Sequence, residues 1–350
     1  MDHSYFWRVR TQTATDYWVN NVTVEQAHLG LAAGAVGCTQ NPAYLSKILG
    51  VSSDAAAVDE MLLKLLKEEK DDNEVLARLQ CEQIKRIAEV FMPLYEETDG
   101  KEGFVSIQGN PFLENTADIL RFAHMAREVS PNIICKIPVV KEALPAMEEL
   151  IRERIPVLAT EVMSVKQAEV ANDLYEKASA GMKDAPIMYI AHIAGIFDEQ
   201  LKEDVTTGNI DVSPDALWQA GIAVAKKISG IYQARQSRVR FMDGGARGLH
   251  HFTEMVGCNG CVTINWKGTA DKLIEENPVV IDRYSAPVAP TVLDELIEKV
   301  PNFRKAYIGC ELAIDDFEAF PPVARFRKQF EDGWNKSLAY VADFRAKNGL

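Results

Sequence analysis

The stretch Asn132-Ile133-Ile134-Cys135-Lys136-Ile137-Pro138 sets a single ammonium group inside an otherwise apolar strand. Strand side chains alternate, so Ile134 and Lys136 share one side while Ile133, Cys135 and Ile137 share the other. A strand apolar on both sides belongs to a parallel sheet covered on both faces. Desolvation there favours the neutral amine, and a neutral lysine amine can attack a carbonyl carbon to form a Schiff base. Taken alone, the residue also fits a lysine at a strand's end whose amine stays in water. The rest of the chain decides between these readings.

Outward from this strand, short apolar runs near 10–16, 35–40, 103–108, 132–137, 155–160, 186–191, 238–243 and 260–265 alternate with amphipathic stretches. Thr116 to Val129, Glu142 to Arg154, Val165 to Ala178 and Pro214 to Ala234 are the clearest of these stretches. The pattern is that of βα units with parallel strands, and eight of them predict a (β/α)8 barrel of the α/β class. An open doubly wound sheet would call for a Gly-rich phosphate loop after the first strand, and none is present. Residues 53–93 predict a helical insertion after the second strand, a solvated hairpin centred on Glu68, Glu69, Lys70, Asp71 and Asp72. Residues 290–350 predict further helices, with Leu293, Leu296, Phe303, Phe320, Phe326 and Phe330 supplying faces that pack across the barrel or between subunits. A homo-oligomer is therefore allowed. With no internal repeat and no low-complexity linker, 1–350 reads as one barrel domain.

At 350 residues and 47% hydrophobic, the chain can bury a full core. Its net charge of -13 argues against general affinity for nucleic acid or an anionic membrane. The six cysteines lack the density of a secreted disulfide scaffold and fit a reducing cytoplasm. Cys258 and Cys261 have metal-type spacing but no second Cys or His pair nearby, so no metal is expected. Met1 to Arg10 lacks the apolar core of a signal peptide. No run reaches the ~18 apolar residues of a membrane span.

In a barrel, chemistry gathers where inward side chains reach the strands' C-terminal ends. Asp16 is placed at the end of the first strand, Thr39 and Asn41 at the second, Ser106 and Gln108 at the third, Lys136 at the fourth and Thr160 at the fifth. One such polar residue is usually a satisfied core group. Five successive strands sharing the habit point to a site.

Gly37-Cys38-Thr39-Gln40-Asn41-Pro42 resembles the Gly-Val-Thr-Thr-Asn-Pro signature of the transaldolase family. The Lys136 strand is similar to that family's Schiff-base strand. Pro156 to Ala168 resembles its next strand and Ser-x-x-Gln-Ala helix start, and Gly257-Cys258 with Val262-Thr263-Ile264 resembles a further segment. The resemblance runs from about residue 10 to 275 and implies a TIM barrel with cofactor-free class I aldol chemistry on a sugar or sugar phosphate. Lys136 would form an iminium that acts as electron sink. Asp16 would be the acid/base carboxylate, Asn41 would hold donor hydroxyls, and Thr160 with the residue at 108 would position a water.

Two departures matter. The family's catalytic glutamate on the third strand is Gln108 here, which can orient a water but cannot take its proton. The fructose-6-phosphate aldolase branch shares this glutamine, which tilts the expectation toward release of the three-carbon unit. Within Tyr189 to Asp198, the family's phosphate-binding arginine is Ile196, and His192 is new, fitting equally a substrate contact or a core histidine bonded to backbone. Arg247, in Asp243-Gly244-Gly245-Ala246-Arg247-Gly248, matches a second phosphate arginine, and Lys267 is another candidate. The expectation is a transaldolase-like aldolase or transferase with altered phosphate recognition. A conventional sugar-phosphate transaldolase and a non-catalytic binding barrel are the alternatives.

Overall fold

The computed structural model describes residues 4–50 and 53–350. Eight parallel strands close into a barrel in sequence order: β1 (Thr15–Asn20), β2 (Ala35–Thr39), β3 (Phe104–Ile107), β4 (Ile133–Pro138), β5 (Val157–Val162), β6 (Met188–His192), β7 (Arg240–Asp243) and β8 (Gly260–Asn265), with β8 pairing back to β1. Every residue of β4 and β5 is buried, because the barrel interior covers one side and helices the other.

The helices over β1 to β4 are α1 (Tyr5–Gln12), α2 (Val24–Ala32), α3 (Leu45–Ile48), α4 (Ala55–Glu68), α5 (Asp72–Glu97) and α6 (Thr116–Val129). After these come α7 (Leu144–Arg152), α8 (Val165–Ala178), α9 (Ala194–Gly208), α10 (Pro214–Ala234) and α11 (His250–Thr253). Beyond β8 the chain adds α12 (Asp271–Glu276), α13 (Pro290–Lys299), α14 (Pro301–Ile308) and α15 (Pro321–Lys347). The starts of α6, α8 and α10 follow from side chains that satisfy the first free amides: Asn115, Ser164 and Ser213 each accept from the backbone N–H three residues on.

The first strand lies later than the expected 10–16. Tyr5, Phe6 and Val9 recur at the spacing of one helical face and are buried, so this segment is α1, and the strand begins at Thr15. The inward side of β1 is fixed by Trp18, whose ring meets that of Tyr189 at 5.0 Å. A Cβ on Gly37 would lie 2.6 Å from the Trp18 ring, so that neighbouring position must be glycine. Asp16 and Asn20 share this side, Asp16 at the strand's start and Asn20 at its end.

The segment after β2 also differs from a solvated hairpin. Its charged turn at 68–72 is held by Arg345, which donates to Asp72 at 2.8 Å and to the Glu69 carbonyl at 2.9 Å. Residues Val75, Leu79, Ile84, Ile87 and Phe91 of α5 are buried and the helix packs on β3, making it the barrel's own covering helix. The last helix, α15, packs on α3, α5 and α9, and its Trp334 indole N–H donates to Asn73 Oδ1 at 3.0 Å. Among the described residues, no helix is long and apolar enough to cross a membrane.

Candidate active site

Lys136 is the fourth residue of β4, inward-facing and only 6% exposed. Burial pulls its amine down to about 8 from the usual lysine value, with the charges of Glu161 and Cys38 opposing that fall. It opens into a polar cleft at the C-terminal ends of the strands. Asn20, Thr39, Asn41, Thr263 and Asn265 line this cleft, and Phe326, Gln329 and Phe330 of α15 close its outer side.

The polar lining is a connected set. Thr263 Oγ1 lies 2.6 Å from Thr39 Oγ1, Thr39 Oγ1 donates to Asn20 Oδ1 at 2.8 Å, and Asn20 Nδ2 donates to Asn265 Oδ1 at 2.9 Å. Asn41 Oδ1 accepts the Ala43 N–H, which holds its side chain at the rim. Ser106 and Thr160 are fully buried, and neither hydroxyl has a hydrogen-bond partner among the described residues.

Beside Lys136 stands a second group. Gln108 Nε2 donates to Glu161 Oε1 at 2.9 Å and to Glu114 Oε1 at 3.1 Å. Arg327 of α15 reaches Glu114 at 3.5 Å and also pairs with Glu318 and Glu331. Both buried carboxyls are pushed up, chiefly by desolvation.

Three of the residues singled out from sequence lie elsewhere. Asp16 sits near the opposite end of the barrel, where Arg240 bonds it at 3.3 Å and Arg10 lies 3.8 Å away. It does not line the Lys136 cleft. The four residues from Asp16 to Asn20 span roughly 13 Å of strand, so the cleft end of β1 carries an amide and no carboxylate. Asp16→Asn is therefore expected to leave turnover unchanged and, since burial raises the Asp16 carboxyl despite Arg10 and Arg240, to cost little stability. Parallel activity assays and urea titrations check this, and a selective loss of turnover would return Asp16 to the chemistry. His192 is fully buried, with Nδ1 2.9 Å from the Val162 carbonyl and Nε2 3.3 Å from that of Gly221. Of its two earlier readings it takes the core one. Lys267 is exposed in the turn after β8 and does not line the cleft.

Arg247 does line it, and so does Ile196. The unforeseen cation is Lys47 of α3, on the same cleft. Its ammonium is destabilised first by burial and then by the charge of Arg247. Glu161 and Glu114 were likewise missed, since a buried carboxylate has no periodic signature.

Among the described residues, Asp198, His250 and His251 form one group whose ligand atoms are close enough for a metal ion. Both nitrogens of His251 are already engaged: Nε2 lies 3.0 Å from Asp198, and Nδ1 accepts the Arg247 N–H at 3.4 Å. Asp198 also accepts the Gly221 N–H. The group thus fixes the backbone of the Arg247 loop. Cys258 Sγ contacts Ser229 Oγ, and all six cysteines are unpaired.

Fold and site together define an eight-stranded α/β barrel with a desolvated lysine at its C-terminal mouth. The sequence profile of the transaldolase/fructose-6-phosphate aldolase family matches residues 18–307, and the chain belongs to that family. It is 28% identical over 222 residues to the transaldolase of Acidothermus cellulolyticus, covering 59% of this chain and 58% of the relative. It is 25% identical over 350 residues to that of Saccharopolyspora erythraea, covering 93% and 94%. With the transaldolase of Mycobacterium ulcerans, 28% identity extends over 209 residues, 57% of this chain and 55% of the relative. The first and third alignments thus span less than two thirds of the relative's length.

Proposed function

We propose that this protein forms a Schiff base between Lys136 and a ketose and then releases or transfers a dihydroxyacetone-like three-carbon unit. The observation that carries the reading is the inward, desolvated Lys136 amine above a cleft lined by polar side chains. Asn20, Thr39, Asn41 and Asn265 supply donors and acceptors for hydroxyls. Borohydride trapping across matched phosphorylated and free ketoses, with mass spectrometry of the adduct, tests it.

Recognition of the sugar's far end is rearranged. Ile196 offers that end only hydrocarbon, while Arg247 and Lys47 present two cations to the same cleft. Arg247 is oriented by Glu199, 2.6 Å from its Nε, and by the Gly245 carbonyl at 2.9 Å. Each cation raises the cost of the other, and an anionic substituent between them relieves both. Lys47→Ala is therefore expected to raise KM for a phosphorylated ketose by ~10–100-fold, the equivalent of one charge-assisted hydrogen bond, and to leave the free sugar unchanged. Equal effects on both sugars would remove Lys47 from anion binding. The same pair, with relatives named transaldolase, also favours the second reading of a conventional sugar-phosphate transaldolase.

A further inference from the structure

The one irregularity in the barrel wall nearest Lys136 is at Glu161. Between Ala159, which pairs with Ile190, and Val162, which pairs with His192, β5 takes three steps where β6 takes two. This is a bulge, and bulges re-aim side chains. Glu161 carries it with φ +59, a left-handed conformation that is strained for a non-glycine residue.

The neighbouring structure enforces that conformation. Buried Gln167 donates to the carbonyls of Glu161 and Val139 at 3.1 and 3.0 Å and accepts the Met163 N–H at 2.9 Å. Regular alternation would send Glu161 away from Thr160 and out of the barrel. Instead its carboxylate meets the amide of Gln108 and lies in the field of Lys136, fully buried, and its Oε2 has no hydrogen-bond partner among the described residues. Thr160 Oγ1, Ser106 Oγ and Gln108 Oε1 are unpartnered in the same way. Several buried polar atoms around one lysine form a setting for a small polar reactant.

We propose that Glu161 is the proton-transfer residue of the Lys136 site, taking up the proton of the water that attacks the iminium and delivering it to the departing nitrogen. The assignment rests on the Schiff-base reading. Water adds to the iminium carbon, the C=N π electrons move to nitrogen, and the water's proton passes to Glu161. Glu161 protonates the nitrogen of the carbinolamine. The hydroxyl proton then returns to Glu161 as the C–O bond becomes a carbonyl and the C–N electron pair leaves with the amine. Gln108 cannot take this proton, and Asn20 at the end of β1 cannot either.

The charged and titratable groups facing Glu161 are Lys136 on β4, Glu114 ahead of α6, Glu318 ahead of α15 and Arg327 on it. Desolvation raises its carboxyl, while Gln108, Arg327 and Lys136 hold that rise back, which leaves a group suited to both taking and giving a proton near neutrality.

The test uses Glu161→Gln, which keeps an oxygen for the Gln108 amide, with Glu161→Asp as a second variant. Dihydroxyacetone in ¹⁸O-water is the probe. The equilibrium fraction labelled by borohydride reports iminium, and protein-dependent ¹⁸O exchange into the carbonyl reports water attack. Glu161→Gln should keep its labelled fraction and lose ~10²–10⁴-fold in exchange rate, with a flattened pH dependence, and Glu161→Asp should recover part of the rate. Unchanged exchange in a labelled Glu161→Gln protein overturns the assignment. So does equal loss of labelling and exchange in both variants, which would make Glu161 structural. Absence of labelling on Lys136 in the unmodified protein fails the Schiff-base reading itself.

Discussion

Reduction with borohydride in the presence of a ketose is expected to label Lys136 and no other lysine, and Lys136→Met to abolish labelling and turnover outright. The amine must be neutral to attack. With its value at about 8, roughly a tenth is neutral at pH 7, so the initial rate of iminium formation should rise about tenfold between pH 7 and pH 9 and then level. Below that range the ammonium has no lone pair, which fixes the sign. Lys136→Met should also be more stable than the parent, because it removes a charge from a buried site and shortens an unbranched side chain by only one heavy atom. The depression from 10.5 corresponds to roughly 3 kcal/mol between buried and solvated ammonium, of which Met should recover at least about 1 kcal/mol in urea titrations. A label on a different lysine, or a destabilised Lys136→Met protein, would contradict the placement of this amine.

Gln108→Glu should be the most damaging conservative change in the barrel. The amide of Gln108 donates to two buried carboxylates at once, at 2.9 and 3.1 Å. An ionised carboxylate has no proton to give, so the substitution loses both bonds and sets a further acid beside Glu114 and Glu161, whose carboxyls burial already pushes up. A loss of about 3–5 kcal/mol is expected, the scale for breaking a buried charged pair. The deficit should shrink as the pH falls, because protonation removes the repulsion in the folded state. Adding Glu161→Gln moves the donor amide across the contact and should restore at least half of the stability. If Gln108→Glu alone matches the parent in a urea titration, the bridge is absent in solution.

Much of this arrangement is legible in the chain because barrels write two clear periods into sequence. The bounds of α6, α8 and α10 coincide with their amphipathic stretches, and seven of the eight strands fall within two or three residues of their apolar runs. The exception is instructive. Arg10 to Asp16 is polar, and the buried Tyr17, Trp18 and Val19 that follow are the actual strand, so a four-residue error moved a carboxylate from one end of the barrel to the other. Inward positions such as Thr39 and Lys136 follow from alternation once a strand is placed. Glu161 does not, because a bulge breaks that alternation and no residue type announces one. Lys47 is hidden for a different reason: it stands on a short loop helix, where neither period applies. Gln329 and Arg327 come from a helix far along the chain whose docking only packing decides.

That docking has a consequence in time. All eight strands are complete at Asn265, yet the outer wall of the cleft comes from Phe326, Gln329 and Phe330, and the cation over Glu114 is Arg327. During synthesis the barrel can close with its lysine facing an open bowl while α15 is still inside the ribosome. The nascent protein thus holds its nucleophile before it holds the surface that selects what reaches it. These residues also lie past position 307, where the family match stops.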